Sequence, residues 1–511
     1  MGKESRSEFV IKNTSVTLLM QVIKNLLGFV SRTIFVKVLG SEYLGVNSLF
    51  TEILTMLSFA ELGIGNAMVF SLYKPLAEKD QNKIKSLMKL YARCYQTIGI
   101  VIAVLGVCVV PFLDRIVGDV SYVKEDITLL YLLFLLNSVL SYFFVYKKSL
   151  IIADQRNYIV EIYQQVFYAI QVAVQSVFLI LTKEFIPYLL IVITCTFLNN
   201  FFVAKRADKM YPYLREKNVD KLKKTELNGI VENVKALVVY KVGGILLEST
   251  SSLFISTLIN VVTVGLYANY KLVVNIFKTI GSNVMNSIIA SVGNLNAVAS
   301  SEKKLSVFKE IFYLNVWFFG FTAVGLCVFL TDFIGIWLGD GFAIGFDAVF
   351  AACVYYYVSN MHYPCFTYRT TAGLFVLGKY VPVLASVISL VLSYVLGTIG
   401  GLTGILWASV FARVFSYEII DPVIIYKRVL NKSPLKYFAM YASYLGLVLA
   451  DGCVSYLVIK MIPFDGIVGF VVKVVVLSIV YNVVFFLVTV RTPEFSSLLG
   501  RVKNIVTRRT R

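Results

Sequence analysis

The stretch that decides the fold runs from Lys74 to Asp126 and has three parts. A basic segment, KPLAEKDQNKIK (Lys74–Lys85), precedes an apolar one, SLMKLYARCYQTIGIVIAVLGVCVVPFL (Ser86–Leu113), and an acidic one follows, DRIVGDVSYVKED (Asp114–Asp126). An apolar run of roughly 20 residues can cross a bilayer as a helix. The stretch therefore predicts one membrane span with a basic loop on one side and an acidic loop on the other.

The same alternation continues along the whole chain of 511 residues. The sequence is 58% hydrophobic and only 15% charged, and its mean hydropathy is +0.77, which excludes a soluble globular class. We predict an all-α polytopic membrane protein with about fourteen transmembrane helices. The predicted spans are Asn13–Val38, Tyr43–Tyr73, Ser86–Leu113, Ile127–Tyr146, Tyr158–Thr182, Phe185–Ala204, Ala236–Asn260, Val264–Leu295, Ser306–Leu330, Ala348–Tyr368, Tyr380–Leu396, Leu402–Tyr426, Tyr437–Ile459 and Ile467–Val490.

The positive charge identifies the two sides of the membrane. Most of the 48 Lys and Arg residues fall in alternate loops, and basic loops stay preferentially in the cytoplasm. We therefore predict a multi-pass protein of the cytoplasmic membrane with both termini inside the cell. The net charge of +18 does not point to a nucleic-acid partner, because topology already accounts for the basic loops. Their position favours contact with membrane lipid.

An internal repeat appears at an offset of about 220 residues. Gly45 aligns with Gly265, Ser86 with Ser306 and Lys89 with Lys309. An even number of spans per repeat predicts two parallel six-helix lobes around a central cavity, followed by two extra helices. The predicted boundaries are 1–204 for the first lobe, 205–235 for a cytoplasmic linker, 236–426 for the second lobe, 427–490 for the extra helices and 491–511 for a basic tail.

Polar side chains follow one face of the first predicted span. Gln21, Lys24, Asn25 and Arg32 recur at helical spacing. Polar groups inside a bilayer are costly and usually face a protein interior or a cavity. We therefore interpret this face as part of a binding site.

Three further spans carry related polar residues. The cations among these polar residues favour an anionic substrate, because Arg and Lys bind phosphate. The alternative interpretation is that some of these charges pair helices together or reach back to the membrane surface. The residues are Asn47, Glu52 and Glu61 in the second span, Lys241 and Glu248 in the seventh, and Lys271 and Lys278 in the eighth.

Several residues are candidates for coupling transport to a proton or sodium ion. They are Glu61, Glu248 and His362, the single histidine of the chain. A lone histidine in a span is more commonly a hydrogen-bonded structural residue. The seven cysteines show no metal-ligand spacing, and there is no phosphate-binding ATPase motif, so we expect no metal and no other cofactor.

Two local motifs resemble a known family. SRTIFVKVLG (Ser31–Gly40) and AELGIGNA (Ala60–Ala67) are similar to the opening of the polysaccharide-biosynthesis flippases. These are the O-antigen and capsule repeat-unit translocases of the multidrug/oligosaccharidyl-lipid/polysaccharide exporter superfamily. The motifs lie in the first part of the chain, and the remainder agrees through its spans and topology.

The resemblance implies a function for the predicted cavity. It implies a bacterial flippase, not an enzyme, that moves an undecaprenyl-pyrophosphate-linked oligosaccharide by alternating access. A polymerase and glycosyltransferases of the same pathway would be its partners. Arg32 and Lys271 are the residues that it places in the cavity most directly. The alternatives are a lipid II flippase, a multidrug cation antiporter, and a membrane polymerase or glycosyltransferase.

Overall fold

The fold is described from a computed structural model. It describes residues 6–58, 64–118, 123–216, 242–374, 377–464 and 466–500. Within these ranges every regular element is helical and there is no strand. The chain divides into two compact units, Met1–Gly265 and Leu266–Arg511. The predicted all-α class is confirmed.

The described part of the first unit consists of long and short helices. A bend of 42° separates α5 from α6, where Phe144 adopts a left-handed conformation with φ of 70°. The helices are α1 (Arg6–Leu57), α2 (Ile64–Glu78), α3 (Gln81–Val109), α4 (Leu113–Val117), α5 (Ile127–Ser141), α6 (Val145–Ala153), α7 (Asn157–Thr182), α8 (Phe185–Met210) and α9 (Val242–Leu258).

The second unit begins inside a helix that starts in the first. That helix is α10 (Val261–Val298). The others are α11 (Ser301–Leu338), α12 (Phe346–Met361), α13 (Tyr363–Thr371), α14 (Val381–Val414), α15 (Tyr417–Arg428), α16 (Leu435–Lys460) and α17 (Gly466–Thr489).

The helices agree with a polytopic membrane protein. Every predicted span overlaps a described helix. Seven described helices are long and apolar enough to cross a bilayer, or eight if the bent pair α5 and α6 forms one span. The total number of spans, the six-helix lobes and the domain boundaries stay predictions. Most of the predicted linker, from residue 217, and the end of the basic tail lie outside the described residues.

Two glycines separate helices that otherwise run on without a loop. Gly40 interrupts α1 with φ of 87°, and Gly401 interrupts α14 with φ of 54°. Positive φ is costly for residues with a Cβ atom, so glycine is the residue suited to such a break. Each break falls between two predicted spans, which explains how one continuous element accommodates both.

Packing within the first unit brings three helices together near the first polar stripe. Helix α1 packs along α7, and α7 packs along α8. The ring of Phe35 on α1 meets Phe185 and Tyr188 of α8 edge-on, at centroid distances of 5.6 and 5.1 Å. This packing fixes the height at which α8 side chains face α1.

Helix α11 organises the second unit. It packs against α12, α16 and α17. Its residue Phe308 is fully buried and forms edge-to-face contacts with Tyr368 and Tyr426. Such contacts, together with the burial of large rings, hold the helices at fixed positions.

Candidate functional site

The first polar stripe lies on the first half of α1. Gln21 donates a hydrogen bond to Asn25 over 3.0 Å, and both side chains are half-buried. Lys24, between them in sequence, is exposed. The predicted face therefore divides into an amide pair that is partly covered and a lysine that is open.

Arg32 is the covered cation of this stripe. Its residue is half-buried, and its Nη1 atom is buried without a hydrogen-bond partner. The side chains of Tyr168 on α7 and Tyr188 on α8 lie within electrostatic range of the guanidinium. A buried charged donor without a partner is unfavourable. A bound anion would supply the missing partner.

Polar contacts hold the two tyrosines beside Arg32. The Ser31 side chain lies near the Tyr188 hydroxyl. Gln175 of α7 donates to the backbone carbonyl of Tyr188 over 3.1 Å. The Tyr168 hydroxyl lies near Gly28, one turn before Arg32. The sequence pattern does not predict the tyrosines, because only packing reveals which residues of α7 and α8 face α1.

The second half of α1 carries the polar residues predicted for the second span. Asn47 and Glu52 are half-buried, and Thr51 and Thr55 are exposed. The Thr51 hydroxyl donates to the carbonyl of Asn47, and the Thr55 hydroxyl donates to the carbonyl of Thr51, each over 2.7 Å. Ser58 makes the equivalent bond to Leu54. These residues form a hydroxyl stripe (Thr51, Thr55 and Ser58) whose protons are already engaged.

In the second unit, the predicted cations lie on α10. Lys271 and Lys278 are half-buried, with Asn275 exposed between them. The Lys271 Nζ atom lies 5.7 Å from the centre of the Tyr267 ring, a cation–π distance. The two lysines are two turns apart on one helix. That Lys271 faces Arg32 across a cavity stays a prediction.

The three candidates for ion coupling differ in where they lie and in whether the structure describes them. Glu248 is exposed on α9, while Glu61 and Lys241 lie outside the described residues. His362 is buried, and its Nε2 atom lies 3.2 Å from Oδ2 of Asp421. Among the described residues there is no group of three His, Cys, Asp or Glu side chains arranged to hold a metal ion.

Asp421 joins His362 to a buried arginine. Arg369 Nη1 lies 2.6 Å from Asp421 Oδ1, and the two side chains are 2% and 0% exposed. The His362 ring also packs edge-on against Tyr417 at 4.9 Å. The buried ionic cluster of His362, Arg369 and Asp421 therefore links α13 to α15. Helical periodicity does not predict this cluster, and its signals in the sequence are His362 and Asp421, two titratable residues inside predicted spans.

Comparisons with known proteins show the fold. No family model and no curated protein matches the sequence. The structure is similar to that of the lipid II flippase MurJ in an inward closed conformation, with a TM-score of 0.68 and 12% identity. The similarity covers 93% of this chain and 98% of that one.

Two MATE transporters are also similar. An inward-facing MATE family transporter of the MOP superfamily matches with a TM-score of 0.61 and 12% identity, over 78% of this chain and 93% of that one. The Vibrio cholerae MATE transporter VcmN matches with a TM-score of 0.58 and 13% identity, over 83% and 99%. The chain therefore has the fold of these proteins.

Proposed function

We propose that the chain is a flippase for a polyprenyl-pyrophosphate-linked oligosaccharide, which it moves from the inner to the outer leaflet for cell-surface polysaccharide synthesis. The observation that carries this proposal is the buried, unpartnered Nη1 of Arg32. A guanidinium donates two parallel hydrogen bonds to a phosphate, and such bonds are strong away from water. The MurJ-like fold of nearly the whole chain supports a lipid-linked cargo.

The proposed cycle divides the cargo between three environments. Arg32, with Lys271 as a second cation, holds the pyrophosphate. The sugars occupy a wet cavity, and the polyprenyl chain remains in lipid. Alternating access exchanges the exposure of the cavity between the leaflets. We keep a proton or a sodium ion as the proposed coupling ion, with Glu61, Glu248 and His362 as candidate carriers.

A second candidate function is the flipping of lipid II. The MurJ structure, with a TM-score of 0.68, covers more of this chain than the MATE structures do, which favours it. Lipid II also carries a pyrophosphate, so Arg32 would serve both cargoes in the same way. The two differ in their sugars and in the attached peptide, and a transport assay separates them.

The transport assay uses the purified chain in proteoliposomes. Each vesicle set carries one lipid: a polyprenyl-pyrophosphate oligosaccharide, lipid II, or the same oligosaccharide on a monophosphate. A soluble enzyme that modifies only the glycans on one face of the membrane reports translocation. Preference for the pyrophosphate oligosaccharide over lipid II is expected. Equal rates for the monophosphate and pyrophosphate forms, or transport of an organic cation alone, would refute the proposal.

Arg32→Ala is expected to slow translocation about tenfold or more, because one charge-assisted hydrogen bond contributes roughly 1.5–3 kcal/mol. Arg32→Lys is expected to recover only part of the rate, since an ammonium loses the two-pronged geometry. Lys37→Ala, which removes an exposed cation from the same helix, is the matched control and should transport normally. Normal rates for both Arg32→Ala and Lys271→Ala would rule out the cationic site.

The orientation in the membrane has its own test. We propose that the chain lies in the bacterial plasma membrane with both termini in the cytoplasm. Both termini fall on the same predicted side as the basic loops, and basic loops stay preferentially in the cytoplasm. A C-terminal reporter that is active only in the cytoplasm is expected to be active. A reporter active only outside the cell would overturn the orientation.

A further inference from the structure

A recess of about 350 Å³ opens at the first turns of α3 in the first unit. It is bounded by α3, by α6 and by the segment that follows α8. Three lysines and one glutamate line it, beside apolar side chains. The lining residues are Lys85, Met88, Lys89, Ala92, Tyr146, Lys147, Leu214 and Glu216.

The three lysines differ in their exposure and in their ion-pair partners. Lys85 is buried, and its Nζ atom lies 2.7 Å from Glu216 Oε2, which is at the exposed rim. Lys147 donates to both carboxylate oxygens of Asp208, at 2.6 and 2.7 Å. Lys89 is exposed and makes no ion pair with any described residue. Even with Asp208 counted, the recess keeps an excess of positive charge.

The second unit contains a recess at the repeat-related place, the first turns of α11. It has the same volume, about 350 Å³, and Ser306 and Lys309 align with Ser86 and Lys89 at the repeat offset. Its charge is opposite, because Glu302, Glu310 and Glu494 outnumber Lys309 and Lys432.

The repeat-related lysines also differ in their partners. Lys309 lies 3.7 Å from Glu494, and Ser497 donates to Glu310 over 2.7 Å. The segment after α17 therefore supplies ion-pair and hydrogen-bond partners to the residues that line this recess. Lys89 has no such partner among the residues that the structure describes. The two recesses thus share a place in the repeat and a volume, but their net charges are opposite, and of the two aligned lysines only Lys309 is paired with a described residue.

We propose that the recess at Lys85, Lys89 and Lys147 binds the phosphate of an anionic membrane lipid. Basic recesses beside membrane helices, on the side where basic loops gather, are suited to lipid headgroups. The apolar walls, Met88, Tyr146 and Leu214, suit the glycerol and upper chain of a lipid better than a free phosphate. This site is separate from Arg32, and it does not depend on which cargo the chain moves.

The test compares equivalent lysines in the two recesses. Full-length protein in detergent is titrated with phosphatidylglycerol or phosphatidylcholine, and bound lipid is counted by intact-protein mass spectrometry. Lys89→Gln is expected to weaken phosphatidylglycerol binding about fivefold, since the lost contact is partly exposed. Lys309→Gln should leave it unchanged. Equal effects of the two variants, or no preference for phosphatidylglycerol over phosphatidylcholine, would overturn the proposal.

A second variant tests the competing carboxylate. Glu216→Gln frees Lys85, so phosphatidylglycerol should bind more tightly than to the unaltered protein. Weaker binding would contradict the assignment. Inorganic phosphate and pyrophosphate are titrated as competitors. If either displaces the lipid at an equal concentration, the recess is a site for free phosphate, and the assignment to lipid fails.

Discussion

Asp421→Ala is expected to destabilise the second unit by about 3–5 kcal/mol, because it removes the buried carboxylate that pairs with the guanidinium of Arg369. Arg369 is 2% exposed and Asp421 is fully buried, so water cannot replace the carboxylate. His362 loses the same partner. Thermal and denaturant unfolding of the purified protein, with the yield of monodisperse protein from membranes, measures the effect.

The matched control is an ion pair of the same unit near its surface. Glu494→Ala removes the partner of Lys309, whose side chain is 43% exposed, at a longer distance of 3.7 Å. Screened pairs of this kind contribute about 1 kcal/mol or less. Replacing both members of the buried pair, Arg369→Met with Asp421→Leu, should recover much of the lost stability. Equal losses of unfolding free energy for Asp421→Ala and Glu494→Ala would show that the buried ionic cluster stabilises the unit no more than a surface ion pair does.

Gly265→Ala is expected to destabilise the first unit by about 3 kcal/mol, at the upper end of the range for overpacking. A Cβ atom at Gly265 would overlap the carbonyl oxygen of Ser41 and lie 2.7 Å from the backbone nitrogen of Gly45. A Cβ atom at Gly45 would overlap the carbonyl oxygen of Val261 in turn. Backbone atoms in two helices cannot yield as a flexible side chain can.

Unfolding experiments and expression yield measure this effect as well. Gly446→Ala is the control, since no atom lies within 4 Å of the added methyl group and α16 is regular there. That control should be neutral or slightly stabilising, because alanine favours a helix over glycine. If Gly265→Ala and Gly45→Ala both match it, the close approach of α1 and α10 is not required.

The helices and their breaks can be predicted from the sequence. Apolar length predicts a span because the bilayer imposes one thickness, and Gly40 and Gly401 fall between predicted spans as expected of helix breakers. The repeat also aligns Gly45 with Gly265, two residues that are in fact neighbours.

The site is harder to predict, because helical periodicity defines a face but not what covers it. Lys24 and Arg32 belong to one predicted stripe, yet the first is exposed and the second is half-buried beside Tyr168 and Tyr188. Similarly, His362 is a candidate for coupling from its residue type alone. Its position against Asp421 depends on the packing of α13 on α15, to which no local pattern points.

If the chain moves a glycan, as we propose, the hydroxyl stripe of α1 affects which sugars it accepts. Thr51, Thr55 and Ser58 each direct their only hydroxyl proton to a carbonyl of their own helix, so toward a ligand they can only accept hydrogen bonds. A glycan rich in hydroxyls would move from one weak acceptor to the next along these three side chains, and none of the three would donate a hydrogen bond that fixes a particular sugar. Arg32 would then recognise the charge of the cargo, while the hydroxyl stripe on the same helix would accept glycans of different composition. Glycans could therefore diversify without requiring a new transporter.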